Sequence, residues 1–174
     1  MNELIAKIEQ WAEDRNIIKG SKPIDQAMKL FSEFGELADN IGKGRDCRDD
    51  IGDVLVVLTI IARQLGYSSF DYASSEEIIS QNSKYAVAEI AHEIAVFVSF
   101  AHKHNDFANN RIGNIIGYLN AIATENKTTL EECAQIAYND IKDRKGLMHN
   151  GVFIKESDPA YAEVLKSIEQ NYEV

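Results

Sequence analysis

Residues 50–62, Asp-Ile-Gly-Asp-Val-Leu-Val-Val-Leu-Thr-Ile-Ile-Ala, are apolar on nearly every side when they are wound into a helix. Such a helix is predicted to be buried in the fold. Asp50 and Asp53 are spaced i, i+3 and therefore share one helix face. At about 100° per residue, that face also carries Val57 and Ile60. Because a buried carboxylate loses its hydration, we expect both aspartates to be protonated, paired with a base or bound to a cation.

A second acidic pair, Glu33 and Glu36, has the same spacing on the preceding helix, which Pro23 begins. The helical periodicity there predicts one apolar stripe with both glutamates beside it. The predicted stripe consists of Ile24, Ala27, Met28, Phe31, Phe34, Ala38 and Ile41. Four carboxylates facing each other across two helices predict an all-oxygen site for a hard divalent ion, Mg²⁺ or Mn²⁺ rather than Zn²⁺. The alternative is a solvated acidic face.

The stretches Ser32-Glu-Phe-Gly-Glu-Leu-Ala-Asp and Asp50-Ile-Gly-Asp-Val-Leu-Val-Val-Leu resemble the paired acidic motif of the MazG-like all-α nucleoside triphosphate pyrophosphohydrolases, which include the dimeric dUTPases. Glu33, Glu36 and Asp53 match that motif directly. Asp50 stands where the family usually has Glu, so this ligand is one methylene shorter. The resemblance also takes in the helix around Trp11 and residues 137–155, and so covers most of the chain.

This resemblance implies Mg²⁺-dependent hydrolysis of a (deoxy)nucleoside triphosphate to the monophosphate and pyrophosphate, as part of nucleotide-pool house-cleaning. Glu33, Glu36, Asp50 and Asp53 are the implied metal ligands. Glu33, Glu36 and Asp53 are also the implied catalytic residues, with Glu36 or Glu33 orienting or deprotonating the attacking water.

The implied phosphate-binding residues lie at the end of a helix predicted over about 129–144. They are Asn139, Lys142, Arg144 and Lys145. Cations there also suit the helix dipole, which is the alternative explanation for them. Asn82 and Lys84 are a weaker second candidate for phosphate contacts, and Trp11 is either core or a wall of the base pocket.

The chain also resembles itself. Residues 112–123 align with residues 51–62, sharing the initial Ile-Gly, an internal Leu and the final Ile-Ala. We interpret this as an internal duplication that closes a four-helix bundle of MazG-like type within one chain. Arg111 and Asn114 stand opposite Asp50 and Asp53, so the second half is predicted not to bind metal. The alternative is that two buried helices of similar composition align this well without a duplication.

The predicted architecture is a single all-α domain over residues 1–174. It comprises a metal-binding half (1–84), a degenerate second half (85–145) and a C-terminal hairpin and helix (146–174). The predicted helices span about 2–15, 23–41, 47–65, 83–102, 109–123, 129–144 and 159–172. Residues 147–154 are predicted to form a β-hairpin around Asn150-Gly151.

Composition narrows the function further. The 174-residue chain is 45% hydrophobic, which suits one packed domain, and it has no apolar run that could span a membrane. Its net charge of −10 argues against a nucleic-acid partner. The acidic N-terminal helix does not resemble a signal peptide, and Cys47 and Cys133 are expected to be free thiols in the cytoplasm. Whether the chain is a monomer, a homodimer or a higher homo-oligomer is left open.

Two other functions compete with hydrolysis. Glu89-Ile-Ala-His92 matches one ligand unit of a di-metal redox bundle, but that class needs two such units. The remaining histidines, at 102, 104 and 149, are interpreted as structural or surface residues, as is His92. A non-catalytic regulatory or assembly module is the second alternative, and it predicts loss of the acidic quartet, which is intact here.

Overall fold

The computed structural model describes residues 1–67, 82–100 and 105–172. Its helices are α1 (Asn2–Asp14), α2 (Ile17–Gly20), α3 (Pro23–Lys43), α4 (Arg48–Gln64), α5 (Ser83–Phe100), α6 (Asn105–Glu125), α7 (Leu130–Ile141) and α8 (Tyr161–Tyr172), and its strands are β1 (Gly146–His149) and β2 (Val152–Lys155). The predicted all-α class, with a C-terminal hairpin and helix, is confirmed. No helix in these ranges is both long and apolar enough to cross a membrane.

Helix α4 is the centre of the fold, as its composition predicts. Every residue from Val54 to Ala62 is buried, and α4 packs against α1, α2, α3, α6 and α7. Gly52 allows the approach of α7, because a Cβ at this position would lie 2.2 Å from the carbonyl oxygen of Cys133. Gly44, with φ +66°, ends α3 in the left-handed conformation that favours glycine.

The helical core consists of two hairpins. Helices α3 and α4 form one, α5 and α6 form the other, and they meet through α3–α5 and α4–α6 contacts. This is a four-helix arrangement within one chain. Helix α7 packs on the outside of α4, and a single hydrophobic core runs from Leu4 on α1 to Met148 on β1.

The predicted apolar stripe of α3 is wrong at three of its seven residues, whereas Ala27 and Ile41 are buried as predicted. Ile24, Met28 and Phe31 are 51%, 54% and 43% exposed. The buried face instead carries Leu30 and Leu37, together with Gln26, Ala27, Glu33 and Ile41. The helix is apolar on two faces, and the face that packs on α4 is the one that includes a carboxylate.

Several predicted boundaries also need correction. Helix α7 ends at Ile141 rather than 144, and the short helix α2 was not predicted. Helix α6 is longer than predicted at both ends. The predicted end of α5 at residue 102 lies outside the described residues.

The predicted β-hairpin is confirmed. Strands β1 and β2 pair antiparallel, from Gly146 opposite Lys155 to His149 opposite Val152. Asn150 and Gly151 form the turn with φ values of 49° and 79°, as a two-residue hairpin turn requires. The Met148 amide donates to the Arg15 carbonyl at 2.8 Å, which holds the hairpin against the end of α1.

Candidate active site

An acidic cluster, Glu33, Asp50 and Asp53, lies between α3 and α4, and the charge of Glu33 acts on both aspartates. Glu33 and Asp50 are only 7% and 9% exposed, and Asp53 is half-buried. The Lys29 ammonium, one turn before Glu33 on α3, forms an ion pair with its carboxylate. Asp50 accepts a 2.9 Å hydrogen bond from the side-chain amide of Asn40. Residues of α3 therefore compensate two of the three carboxylates, one with a cation and one with a neutral hydrogen-bond donor.

Asp53 is the least compensated member of the cluster. Burial, followed by the negative charges of Glu33 and Asp49, raises the pKa of Asp53 to about 7. The cations Arg144 and Lys29 oppose this rise only in part. Burial also raises the pKa of Asp50, although the Asn40 hydrogen bond works in the opposite direction. The site thus holds more negative charge than its own cations balance.

Two further acidic residues, Asp49 and Asp140, add negative charge at the same site, and the sequence did not predict either of them. Burial raises the pKa of Asp49, and the charge of Asp140 on α7 is the next contribution. The spacing of Asp49 and Asp53, i and i+4, already places both carboxylates on one face of α4. That spacing is the signal that could have identified Asp49, whereas Asp140 required the packing of α7.

Glu36 is exposed on α3, unlike Glu33 and Asp50, which are buried. Across residues 1–67, 82–100 and 105–172, no three His, Cys, Asp or Glu side chains converge closely enough to hold a metal ion. The chemistry of the donors nevertheless fits a hard divalent cation, because Glu33, Asp50 and Asp53 offer only oxygen atoms. In this conformation the Lys29 ammonium occupies the carboxylate of Glu33.

A cavity of about 400 Å³ opens beside the cluster, between the helical core and the C-terminal hairpin. The charged residues of its wall are three acids and three bases: Asp25, Glu33, Asp53, Lys29, Arg144 and Lys155. Much of the remaining wall is apolar or aromatic, formed by Trp11, Ile17, Val56, Val57, Ile60, Ile141, Met148 and Phe153. One chamber therefore combines carboxylates, a guanidinium and an apolar surface.

Of the four predicted phosphate ligands, the structure brings Arg144 alone to this cavity. The ammonium of Lys142 lies 3.4 Å from the side-chain oxygen of Asn139, and both residues are exposed. The Lys145 ammonium lies 3.5 Å from a carboxylate oxygen of Glu156. The weaker candidates for phosphate binding, Asn82 and Lys84, do not line the cavity either. The side chain of Asn82 accepts a 2.8 Å hydrogen bond from the backbone amide of Lys84 at the start of α5.

Trp11 contributes both to the core and to the cavity wall. Its Nε1 donates a 2.8 Å hydrogen bond to the Ile141 carbonyl at the end of α7, and the Arg15 guanidinium lies 4.9 Å from the ring centroid. Arg15 also donates to the carbonyl oxygens of Lys142 and Arg144. These side chains satisfy carbonyl groups that the end of α7 leaves without helical partners.

The second half of the chain contains a buried polar cluster in which one carboxylate is paired with one cation. Glu93 is 6% exposed and accepts hydrogen bonds from Arg111 at 3.1 Å and from Asn114 at 3.0 Å. Arg111 and Asn114 are the residues that the internal alignment places opposite Asp50 and Asp53. Glu89 and His92, the other ligand candidates of this half, are exposed. His102 and His104 lie outside the described residues.

Comparison with known proteins finds one short similarity. A 66-residue stretch, 37% of this chain, is 47% identical to the uncharacterized 18.2 kDa protein in the rep-hol intergenic region of Haemophilus phage HP1 (strain HP1c1). The match spans 40% of the length of that protein. No family model matches the chain, and no solved structure matches it.

Proposed function

We propose that this protein is a cytoplasmic pyrophosphohydrolase that converts a (deoxy)nucleoside triphosphate to the monophosphate and pyrophosphate. The observation that carries this proposal is the cavity that Glu33, Asp53 and Arg144 share with Trp11 and other apolar side chains. Carboxylates suit a divalent cation, a guanidinium suits a phosphate, and an aromatic wall suits a base. A polyanionic nucleotide needs all three.

Glu33, Asp50 and Asp53 are the residues that would hold Mg²⁺, or Mn²⁺, since they are the buried carboxylates of the site. The bound ion would neutralise phosphate charge and polarise the phosphoryl oxygens. Its binding requires Lys29 to leave Glu33, which is feasible because the Lys29 side chain is 56% exposed. Glu36, one turn further along α3, remains the fourth proposed ligand.

In the proposed reaction, the protein's own residues bind a phosphate group and accept a proton from the attacking water. Arg144 binds a phosphate group, because its guanidinium lines the cavity next to Asp53. A water molecule held by Glu33 or Glu36 attacks phosphorus, and the carboxylate accepts its proton. The bond to the pyrophosphate oxygen breaks, which releases pyrophosphate and leaves the new oxygen on the monophosphate.

The test is product analysis with a panel of ribo- and deoxyribonucleoside triphosphates and Mg²⁺, resolved by anion-exchange chromatography. We expect monophosphate and pyrophosphate from the wild type, and at least a 100-fold lower rate for Glu33→Gln and for Asp53→Asn. Asp143→Asn, which removes an exposed carboxylate beyond the end of α7, is the matched control. Turnover that survives in both site variants would contradict the assignment. No turnover with any nucleotide would favour a non-catalytic helical module.

We also propose that the chain forms a homodimer or higher homo-oligomer. Ile24, Met28 and Phe31 support this, since they lie one turn apart along α3 and are each more than 40% exposed. Sedimentation of the wild type and of Met28→Glu tests the proposal. A monomeric wild type would contradict it.

A further inference from the structure

Gln26 is a polar side chain in the wall of the candidate cavity that the chemistry described above does not use. It lies on α3, is 5% exposed and lines the cavity together with Asp25, Lys29 and the apolar residues of the wall. Burial of a side-chain amide is unfavourable unless its polar atoms find partners. The position of Gln26 therefore raises the question of what its amide binds.

Ser21 determines which way the Gln26 amide points. The Ser21 hydroxyl donates a 2.8 Å hydrogen bond to the Ile17 carbonyl, which can only accept. The hydroxyl proton is thus used, and Oγ is left as an acceptor. It accepts from Nε2 of Gln26 at 2.9 Å and from Nε2 of Gln64 at 3.0 Å. With the Ser21 proton on the Ile17 carbonyl, a flipped Gln26 amide would bring two acceptor oxygens together, so this network favours Nε2 facing Ser21.

This constraint leaves the carbonyl oxygen of Gln26 as the group available to a ligand. Within the described part of the chain, no group donates to Gln26 Oε1. The cavity thus offers a hydrogen-bond acceptor of fixed orientation, held by a serine behind it. A ligand that satisfies this oxygen must supply an N–H or O–H group.

Gln26 is placed at a suitable distance from the acidic cluster. It precedes Glu33 by seven residues, which is close to two helical turns, so both side chains lie on the same face of α3. The separation is about 10 Å along the helix axis. A ribose and a base fill such a span when the phosphates lie at Glu33. Trp11 and Phe153 in the same wall provide the flat surfaces against which a base can stack.

We propose that Gln26 is the specificity-determining residue of this site and that its Oε1 accepts an N–H of the nucleobase. Ser21 is a positioning residue that keeps the amide in the required orientation. The ligand class is a nucleotide whose base presents an N–H donor to the cavity wall, and a base methylated at that nitrogen is rejected. This inference rests on the proposed function for the identity of the ligand, and its test does not depend on turnover.

The test is a titration of ¹⁵N-labelled protein with dUMP, dCMP, dGMP and dAMP, followed through the side-chain amide signals of Gln26. We expect at least one of these to shift the signals. Gln26→Met should weaken its binding at least tenfold and leave the affinity for inorganic tripolyphosphate unchanged. Gln135→Met, which alters an exposed glutamine on α7, is the matched control. Ser21→Ala should reduce discrimination among the four bases, and Ser21→Thr should restore it.

Two outcomes would overturn the assignment. In the first, no mononucleotide moves the Gln26 signals. In the second, Gln26→Met weakens tripolyphosphate and nucleotide binding equally, which indicates a general loss of structure. If mononucleotides bind at Gln26 but no triphosphate is hydrolysed, the hydrolase function fails and the assignment of Gln26 stands.

Discussion

The Nε atom of Arg15 donates a 2.6 Å hydrogen bond to the carbonyl oxygen of Arg144. The same guanidinium donates to the Lys142 carbonyl at 3.0 Å and stacks on Trp11. Arg15, at the end of α1, therefore fixes the segment that follows α7. The residue it fixes, Arg144, is the one whose side chain lines the candidate active site.

We expect Arg15→Ala to lower the free energy of unfolding by about 1–3 kcal/mol, because carbonyl groups at the end of α7 lose their donors. Urea unfolding provides the measurement. Arg48→Ala, which removes an exposed guanidinium paired with Asp46, is the control, and its urea midpoint should stay close to that of the wild type. Equal losses in the two variants would contradict the capping role of Arg15.

The acidic cluster makes stability depend on pH in the absence of metal. The pKa of Asp53 rises from 3.8 to about 7 on folding. The folded protein thus binds this proton more tightly than the unfolded chain, so its stability declines as pH rises from 4 to 7.

Asp53→Asn removes this titration. In EDTA at pH 8 we expect the variant to be more stable than the wild type, by about 1–2 kcal/mol after allowance for the partial exposure of Asp53. At pH 4 the difference should be close to zero. Thermal unfolding at both pH values tests this, with Asp143→Asn as the control. A variant that is less stable at pH 8 would contradict the picture of an uncompensated carboxylate.

The buried pair in the second half should be costly to break. Arg111→Met leaves the Glu93 carboxylate buried without its cation, and we expect a loss of about 3 kcal/mol in the free energy of unfolding. Adding Glu93→Gln should recover most of that loss, since the charge is then gone. Denaturant unfolding of the single and double variants measures the coupling. If the double variant is no more stable than Arg111→Met, the unpaired Glu93 carboxylate is not the cause of the lost stability.

Two helical glycines provide a matched test of the packing around α4. A Cβ at Gly52 meets the Cys133 carbonyl oxygen at 2.2 Å, so Gly52→Ala should destabilise the protein by about 1–3 kcal/mol. Around Gly35, which is exposed on α3, the described structure has no atom within 4 Å of a Cβ. Gly35→Ala should stabilise it by about 0.5–1 kcal/mol. Thermal unfolding of both variants measures the two changes in stability. If both substitutions stabilise the protein, or both destabilise it, this description of the packing is wrong.

The sequence was sufficient to predict the elements whose patterns are local. The continuous apolar run of α4 predicted a buried helix, and Asn150-Gly151 predicted the hairpin turn. The apolar face of α3 was mispredicted because Ile24, Met28 and Phe31 form a second, exposed apolar row beside the buried Leu30 and Leu37. The face that is buried includes the polar residues Gln26 and Glu33. A comparison of hydrophobicity alone therefore favours the other face of α3, which is exposed.

The candidate site was predictable only where its residues share a helix. The spacing of Asp50 and Asp53, and the position of Glu33, follow from the motif. The contribution of Arg144 depends on where α7 ends, and that end is held by Trp11 and Arg15 from the other end of the chain. Such long-range contacts leave no periodic signal in the sequence.

The most direct test of the central claim is ³¹P NMR of a deoxynucleoside triphosphate mixture with Mg²⁺ in ¹⁸O-labelled water, comparing the wild type with Asp53→Asn. The account predicts that the wild type releases unlabelled pyrophosphate and a monophosphate that carries the ¹⁸O label. Asp53→Asn should release neither product at a comparable rate. Release of inorganic phosphate and a diphosphate, or equal turnover by both proteins, would contradict it.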